Sequence, residues 1–518
     1  MRTLGVRVAL LGVMAVVFSA VLTGEVAVAS GAPQGEIGVA MAVLDQRFNP
    51  VEMVALTNVM NFNFLFDGLF NLGPDDKYPA LATGYKVSND GLAIEFALRR
   101  GVTFHNGDPF TAEDVKFTFE QLLSPDSTHA YRKGFQEALA RVEVLNPYSV
   151  RFHLKKPWGA FFTTARYGLQ AIVPKKYYQQ VGAKGFQQKP VGTGPFMLAD
   201  LKAGEWTKFE ANPRYWGQVS EVRFVTQRLV AEGMARYAML ARGEADVISG
   251  LTGPLLKEVR RNATLRITQT PYAGTTFLTF NRRSNPELKD RRVRLAVAHA
   301  IDRDGIAQAI LSGTCQVASQ PFTPATFGYE SSIKPIPYDP ARAKALLTEA
   351  GIKDGHPINF VMHTGSFQSL PNTPQVLEAI AGNLEAVGFR VNRQPLETGA
   401  LLSAWRSHTL EGISYAPSTA PDDGGALMDS WLVSWGTFSN EIKEPAYDEA
   451  FKRQLTEINL EKRRAILQQW AKLEAERLET VPLFWCGALF AVGPRVKEWR
   501  PGLGSGYHLN LHLLRLAK

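Results

Sequence analysis

The sequence predicts an α/β protein built of several closely packed units. Strand-like and helix-like patterns alternate along the chain without a fixed repeat, which favours sheets covered by helices over a sandwich or a bundle. No long linker or low-complexity stretch separates them. The length, 518 residues, suits about three domains, each able to bury a core. Hydrophobic residues make up 45% and charged residues 20%, ordinary globular values.

The N-terminus comes first. Arg2 and Arg7 precede Val8–Leu22, an uncharged apolar run, and Ala27-Val28-Ala29 offers a small-residue cleavage site. This reads as a secretory signal over residues 1–29, with Ser30 as the mature start. The run is short of the roughly 20 residues a membrane span needs, so the mature protein is expected in the periplasm as a soluble chain. That space is oxidising. Cys315 and Cys486 are the only cysteines, and either a disulfide or two buried thiols fits them. Two cysteines exclude a disulfide scaffold and a four-thiolate metal cluster.

Further along, Ile94, Phe96 and Leu98 alternate with smaller or polar neighbours, as in a strand with one buried face. Val150, Phe152 and Leu154 repeat the pattern. Between them Thr111-Ala112-Glu113-Asp114 starts a helix in the manner of a capping box, and Val115, Phe119, Leu122 and Leu123 follow at helical spacing. Phe277–Phe280 is a short strand. Asp290 and Asp302 each cap a helix, the second ending near Gly313. Asp339-Pro340 opens another, stopped by Gly351. Leu377 to Val387 forms a helix stopped by Gly388. Asp448 to Glu479 is long and amphipathic, with a break near Asn459. His508, Asn510 and His512, alternating with leucines, predict a last strand.

Chemistry is mostly missing. The nine histidines form no H-E-x-x-H arrangement, and no nucleophile elbow or phosphate loop occurs. No catalytic residue, metal site or cofactor is expected. The 57 basic and 49 acidic residues are interspersed, which argues against nucleic acid. Arg260–Arg261, Arg291–Arg292–Arg294 and Lys462–Arg463–Arg464 read as solvated faces.

Four segments together resemble the peptide/nickel family (family 5) of bacterial extracellular solute-binding proteins. They are Leu92 to Val115, with its L-R-R-G-V-T-F-H-N-G turn and T-A-E-D-V helix start; Pro190-Val191-Gly192-Thr193-Gly194-Pro195-Phe196 with Tyr215-Trp216; Leu288 to Arg303; and Tyr338 to Gly351. They stand in the family's order, behind an export signal. The resemblance implies a two-lobed periplasmic-binding-protein fold, type II-like and of cluster C, with an extra inserted subdomain and a hinge. Lobe I would hold 34–63, 190–272 and 488–518. The inserted subdomain would be 64–189 and lobe II 273–487, with hinge crossings near Tyr272 and Trp485. The implied function is that of a monomeric receptor of an ABC importer. It would bind a peptide or peptide-like solute and deliver it to the membrane permease. An opine, an oligosaccharide, a nickel or haem chelate, or a lipophilic acid are the other cargoes. A secreted enzyme on the same scaffold, or a periplasmic chaperone or sensor partner, are the rival classes.

By resemblance, Met41, Ala42 and Val43 end a cleft strand, and Tyr131 lies in a ligand-contacting loop. Phe277 and Asn281 lie on the first strand of lobe II, and Tyr415 to Asp423 faces the ligand head group. Peptide-binding members commonly carry W-x-D in that loop, whose aspartate pairs with the ligand's ammonium. Here Pro417, Ser418 and Thr419 stand in its place. Either Asp422 or Asp423 substitutes, or the ligand lacks a free amine, because a buried ammonium without a carboxylate is costly.

Overall fold

A computed structural model describes residues 32–518 except 53–57, 70–80, 126, 130–131, 160, 163–170, 273, 366–371, 420–422, 440–442, 503–508 and 518. The signal segment, Tyr131, Asp422 and His508 lie outside the described residues. Among these residues three sheets dominate. The first has seven strands, in the order Arg266–Gln269, Leu489–Val492, Val247–Ser249, Gln34–Met41, Val222–Leu229, Trp206–Ala211 and Phe196–Lys202. The second has six: Cys315–Val317, Val481–Cys486, Gly274–Phe280, Ile413–Thr419, His356–His363 and Phe389–Leu396. The third has four antiparallel strands: Ala82–Val87, Ala93–Leu98, Ser149–Leu154 and Leu139–Asn146.

Local chemistry explains most element ends. Ile94, Phe96 and Leu98 are buried, as alternation requires. The helix Ala112–Leu123 begins where the Thr111 N–H donates to the Asp114 carboxylate at 2.9 Å. Asp290, Asp302 and Asp339 accept from the backbone N–H groups of Arg292, Gly305 and Arg342. The long C-terminal pattern splits into Pro445–Thr456 and Leu460–Arg477, with Asn459 capping the second helix. The expected last strand is corrected. Asn510 sits at φ 45° and turns the chain into a short 3₁₀ helix, Leu511–Leu513. Only Arg515–Leu516 then pairs, with Val496–Glu498.

The second segment of the resemblance gathers on Asp67, and the first meets it through His105. The Asp67 carboxylate accepts from Tyr215 Oη at 2.9 Å, Thr193 Oγ1 at 2.8 Å and Trp216 Nε1 at 2.7 Å. Three donors satisfy a buried acid that would otherwise be costly. Burial still pushes its pKa up to about 6. Beside it, Gly192 and Gly194 lie so close to the Leu65 backbone that any side chain would collide. The His105 ring spans both, accepting from Gly192 N at 3.1 Å and lying 3.1 Å from the Gly194 carbonyl oxygen. These segments therefore weld the four-stranded sheet onto the seven-stranded one, and both share one hydrophobic core.

Around the six-stranded sheet, buried arginines do similar work. The Arg294 guanidinium donates to the carbonyls of Leu288, Lys289, Arg477 and Leu478. Arg303 donates to those of Pro482, Ala298 and Ile336. The reading of the basic clusters as solvated is thus overturned for Arg294 and for Arg463, both buried. A fork of five donors suits several carbonyls at once, which a lysine could not match. Cys315 and Cys486, opposite each other on neighbouring strands, form a disulfide.

Glu474 lies in the same core and accepts from Thr480 N at 2.8 Å, Thr480 Oγ1 at 2.5 Å and Tyr447 Oη. Burial pushes its carboxyl up to about 7 from 4.5. The folded state therefore keeps this proton where the unfolded chain gives it up. The resulting cost to stability is absent below about pH 4.5 and complete above about pH 7. Glu474→Gln imitates the protonated acid. It should be near neutral at about pH 5 and gain on the wild type by about 2–3 kcal/mol at about pH 8. Urea unfolding at both pH values checks this, and a difference independent of pH would refute it.

Candidate functional site

Strand direction places the site. In the seven-stranded sheet Gln34–Met41 runs parallel to Val222–Leu229 and to Val247–Ser249, so Met41, Leu229 and Ser249 end at one edge. In the six-stranded sheet His356–His363, Phe389–Leu396 and Ile413–Thr419 are mutually parallel, and their carboxyl ends share an edge too. Register then ties both edges to the same place. Thr419 pairs with Gly274, and Gly274 with Cys486. Gln269 pairs with Leu489, and Phe490 with Ser249. The chain crosses between the sheets after Gln269, through 270–272, and again at 487–488, so the carboxyl edges of both sheets adjoin the crossings. Ligands of open α/β sheets bind outside such carboxyl ends.

The two crossings are bonded side by side. Thr270 N donates to the Ala488 carbonyl, and Ala488 N donates to Thr270 Oγ1, each at 2.9 Å. Gly487 packs so tightly on the Thr270 carbonyl that no Cβ fits. Next to them Tyr272 adopts φ 57°, and its ring meets Trp485 edge-on, as does Tyr329. Trp485 Nε1 donates to the Gln320 carbonyl at 3.2 Å.

On the seven-stranded side the edge is held by one side chain. Buried Arg236 donates to the carbonyls of Val230, Ala231, Ser249 and Gly250, clasping the ends of two parallel strands. Ser249 Oγ accepts from Ala42 N at 3.0 Å. What remains open is apolar: Val43 is 54% exposed, Leu229 38% and Met234 44%. Lone exposed aliphatics are normal; here Val43 and Leu229 follow the ends of parallel strands and Met234 opens the helix Gly233–Ala241.

The residues named from sequence divide into two sets. Val43 and Thr419 are exposed, Ala42 and Pro417 half-buried, and Met41 and Ser418 nearly buried at the two strand ends. They lie on different sheets, at the edges that adjoin the crossings. Phe277, Asn281, Tyr415 and Asp423 are buried and present no surface to a ligand in this conformation. Phe277 packs edge-on against Trp431. Asn281 donates to the Leu410 carbonyl at 2.6 Å and accepts from the N–H groups of Arg283 and Ser284. Asp423 pairs through both oxygens with fully buried Arg463, at 2.5 and 2.8 Å, and caps the turn at Gly425. Its charge is already neutralised, so an ammonium would have to displace a guanidinium. Arg236, Ser249 and Leu229 were not read from the sequence. Only knowledge of which strands lie parallel singles them out, and no local pattern carries it.

The profile of bacterial extracellular solute-binding proteins, family 5, matches residues 77–439. The chain belongs to this family. Relatives among characterised family-5 proteins include di/tripeptide-binding protein 2 of Pseudomonas aeruginosa (strain UCBPP-PA14), 28% identical over 429 residues, or 78% of this chain and 80% of that one. Heme-binding protein A of Haemophilus influenzae is 29% identical over 343 residues, 62% of each chain. Among solved structures HbpA2 from Haemophilus parasuis superposes with a TM-score of 0.82 at 22% identity, covering 93% of this chain and 100% of that one. The dipeptide-binding protein of Pseudoalteromonas sp. SM9913, in complex with Met-Leu, gives 0.71 at 21%, with coverage of 93% and 100%. The fold of this family-5 protein is accordingly the two-lobed one of periplasmic binding proteins. Among its described residues no helix is long and apolar enough to cross a membrane.

Asp423→Asn tests the scaffold role. It strands a buried guanidinium, so it should cost about 3–5 kcal/mol of unfolding free energy. Denaturant unfolding without ligand reads the loss directly. An unchanged midpoint would return Asp423 to the list of ligand groups.

Proposed function

We propose that this family-5 protein is the periplasmic receptor of an ABC importer. It takes a short peptide or peptide-like solute between its lobes and hands it to the membrane permease unchanged. The observation that carries this reading is that the carboxyl strand edges of both large sheets adjoin one pair of bonded crossings. On this reading lobe I is 34–63, 190–272 and 488–518, the inserted subdomain is 64–189 and lobe II is 273–487. The crossings serve as the hinge. A solute touching Ala42 and Val43 on one side and Pro417 to Thr419 on the other favours the closed state, because only that state offers both sets of contacts. Export by a cleavable signal over 1–29 puts the receptor where such solutes arrive.

The relatives named above take di- and tripeptides or haem, so relatedness narrows the cargo only to this range. Among peptides, the commitment of Asp423 to Arg463 favours a second reading, a ligand without a free ammonium. Both readings meet one experiment. The protein is unfolded and refolded to strip bound cargo, then melted with Met-Leu, N-acetyl-Met-Leu, glutathione or haem. A ligand at about 100 times its Kd adds about 2.7 kcal/mol, enough to raise the Tm by a few degrees. A shift with Met-Leu that acetylation abolishes would support an amine-recognising peptide receptor. A shift that survives acetylation would support the amine-free reading. No shift with any of the four would remove peptides and haem together.

Binding should also compact the molecule. Small-angle scattering should show a smaller radius of gyration with the shifting compound than without it. An unchanged profile at saturation would contradict lobe closure.

A further inference from the structure

We infer that the corner between the two long C-terminal helices, residues 454–460, is a latch that holds the lobes closed at a point away from the crossings. The inference rests on the two-lobed closure proposed above. The corner belongs to the six-stranded unit, yet its partners belong to the unit of the four-stranded sheet. Gly159 N donates to the Leu455 carbonyl at 2.6 Å. A Cβ on Gly159 would strike the carbonyl oxygens of Gln454 and Glu457, so only glycine permits this approach. Ile458 lies over Gly91, which sits at φ +70° and packs against Pro157 as well. Leu455 packs on the hydrophobic clusters of both units, and Leu460 packs on that of the four-stranded sheet.

The corner is also stiff, which a latch requires. Arg463 Nε donates to the Gln454 carbonyl and to its side-chain oxygen, while Nη1 and Nη2 grip Asp423. The corner and the turn that Asp423 caps at Gly425 are therefore fixed to one buried guanidinium. A contact of this kind, made only when the lobes meet, raises the closed population without touching a ligand. Apparent affinity rises in proportion to that population.

Two variants break the contact from opposite sides. Gly159→Ala adds a methyl group that only the closed corner would meet. Ile458→Asp puts a charge on the seam and leaves both hydrophobic clusters intact. In ligand-free protein, hydrogen–deuterium exchange of segment 157–161 should speed up tenfold or more in each variant, and the radius of gyration should grow. Where Met-Leu binds the wild type, its Kd should rise about tenfold, chiefly through faster release. Unchanged exchange and scattering in both variants would overturn the latch. Faster exchange with unchanged scattering would overturn it too, because the contact would then hold nothing closed. Failure of Met-Leu to bind the wild type would count against the peptide reading alone, since exchange and scattering still judge the latch.

Discussion

Everything in this molecule turns on two short segments that run past each other between its large sheets. A single crossing would leave the sheets free to swivel. Two crossings, bonded through Thr270 and Ala488 and pressed together at Gly487, resist twisting and leave bending as the soft motion. At the same segments the carboxyl strand edges of both large sheets adjoin, so one pair of crossings positions them both. Cys486 directly precedes Gly487 and is fixed by the disulfide to the edge strand at Cys315.

Buried guanidiniums are the second theme. Arg236, Arg294, Arg303 and Arg463 are all nearly or fully buried; the first three each gather several backbone oxygens, and Arg463 joins the Gln454 carbonyl to the Asp423 carboxylate. Strand ends and helix ends leave carbonyls without partners, and a planar fork meets several of them at once. Such knots fix the loops around a cleft while adding no charge to its surface. Asp423 belongs with them. What looks like a binding carboxylate on paper is the counter-ion of a structural arginine.

Periodicity and capping made a good part of the fold legible. The strands at 93–98 and 149–154, the caps at Thr111, Asp290 and Asp339, and the break at Asn459 are all short-range chemistry. Each is decided by residues within a few positions of one another. The site was less legible, because long-range pairing decides it. Whether Asp423 is free depends on Arg463, forty positions on, and Asn281 is claimed by a carbonyl at Leu410. The four segments that carried the resemblance are scaffold rather than binding surface. Thr193, Tyr215 and Trp216 stand together because they share Asp67, and His105 and the glycines because they interlock. Arg294 and Arg463 were misread because a charge run says nothing of which member turns inward.

The strand order has a bearing on how the chain comes to be folded. Gln34–Met41, almost the first segment described, finds its neighbours at Val222–Leu229 and Val247–Ser249, and the sheet is finished only by Leu489–Val492. Loops this long must close before the pairing they permit yields any reward. The seven-stranded sheet thus cannot be completed until nearly all of the polypeptide has been made, although the six-stranded sheet is drawn from one continuous stretch, Gly274 to Cys486. A growing chain would carry an unfinished N-terminal sheet, with open edges, throughout synthesis. That delay makes the unfinished edge the place where misassembly would begin.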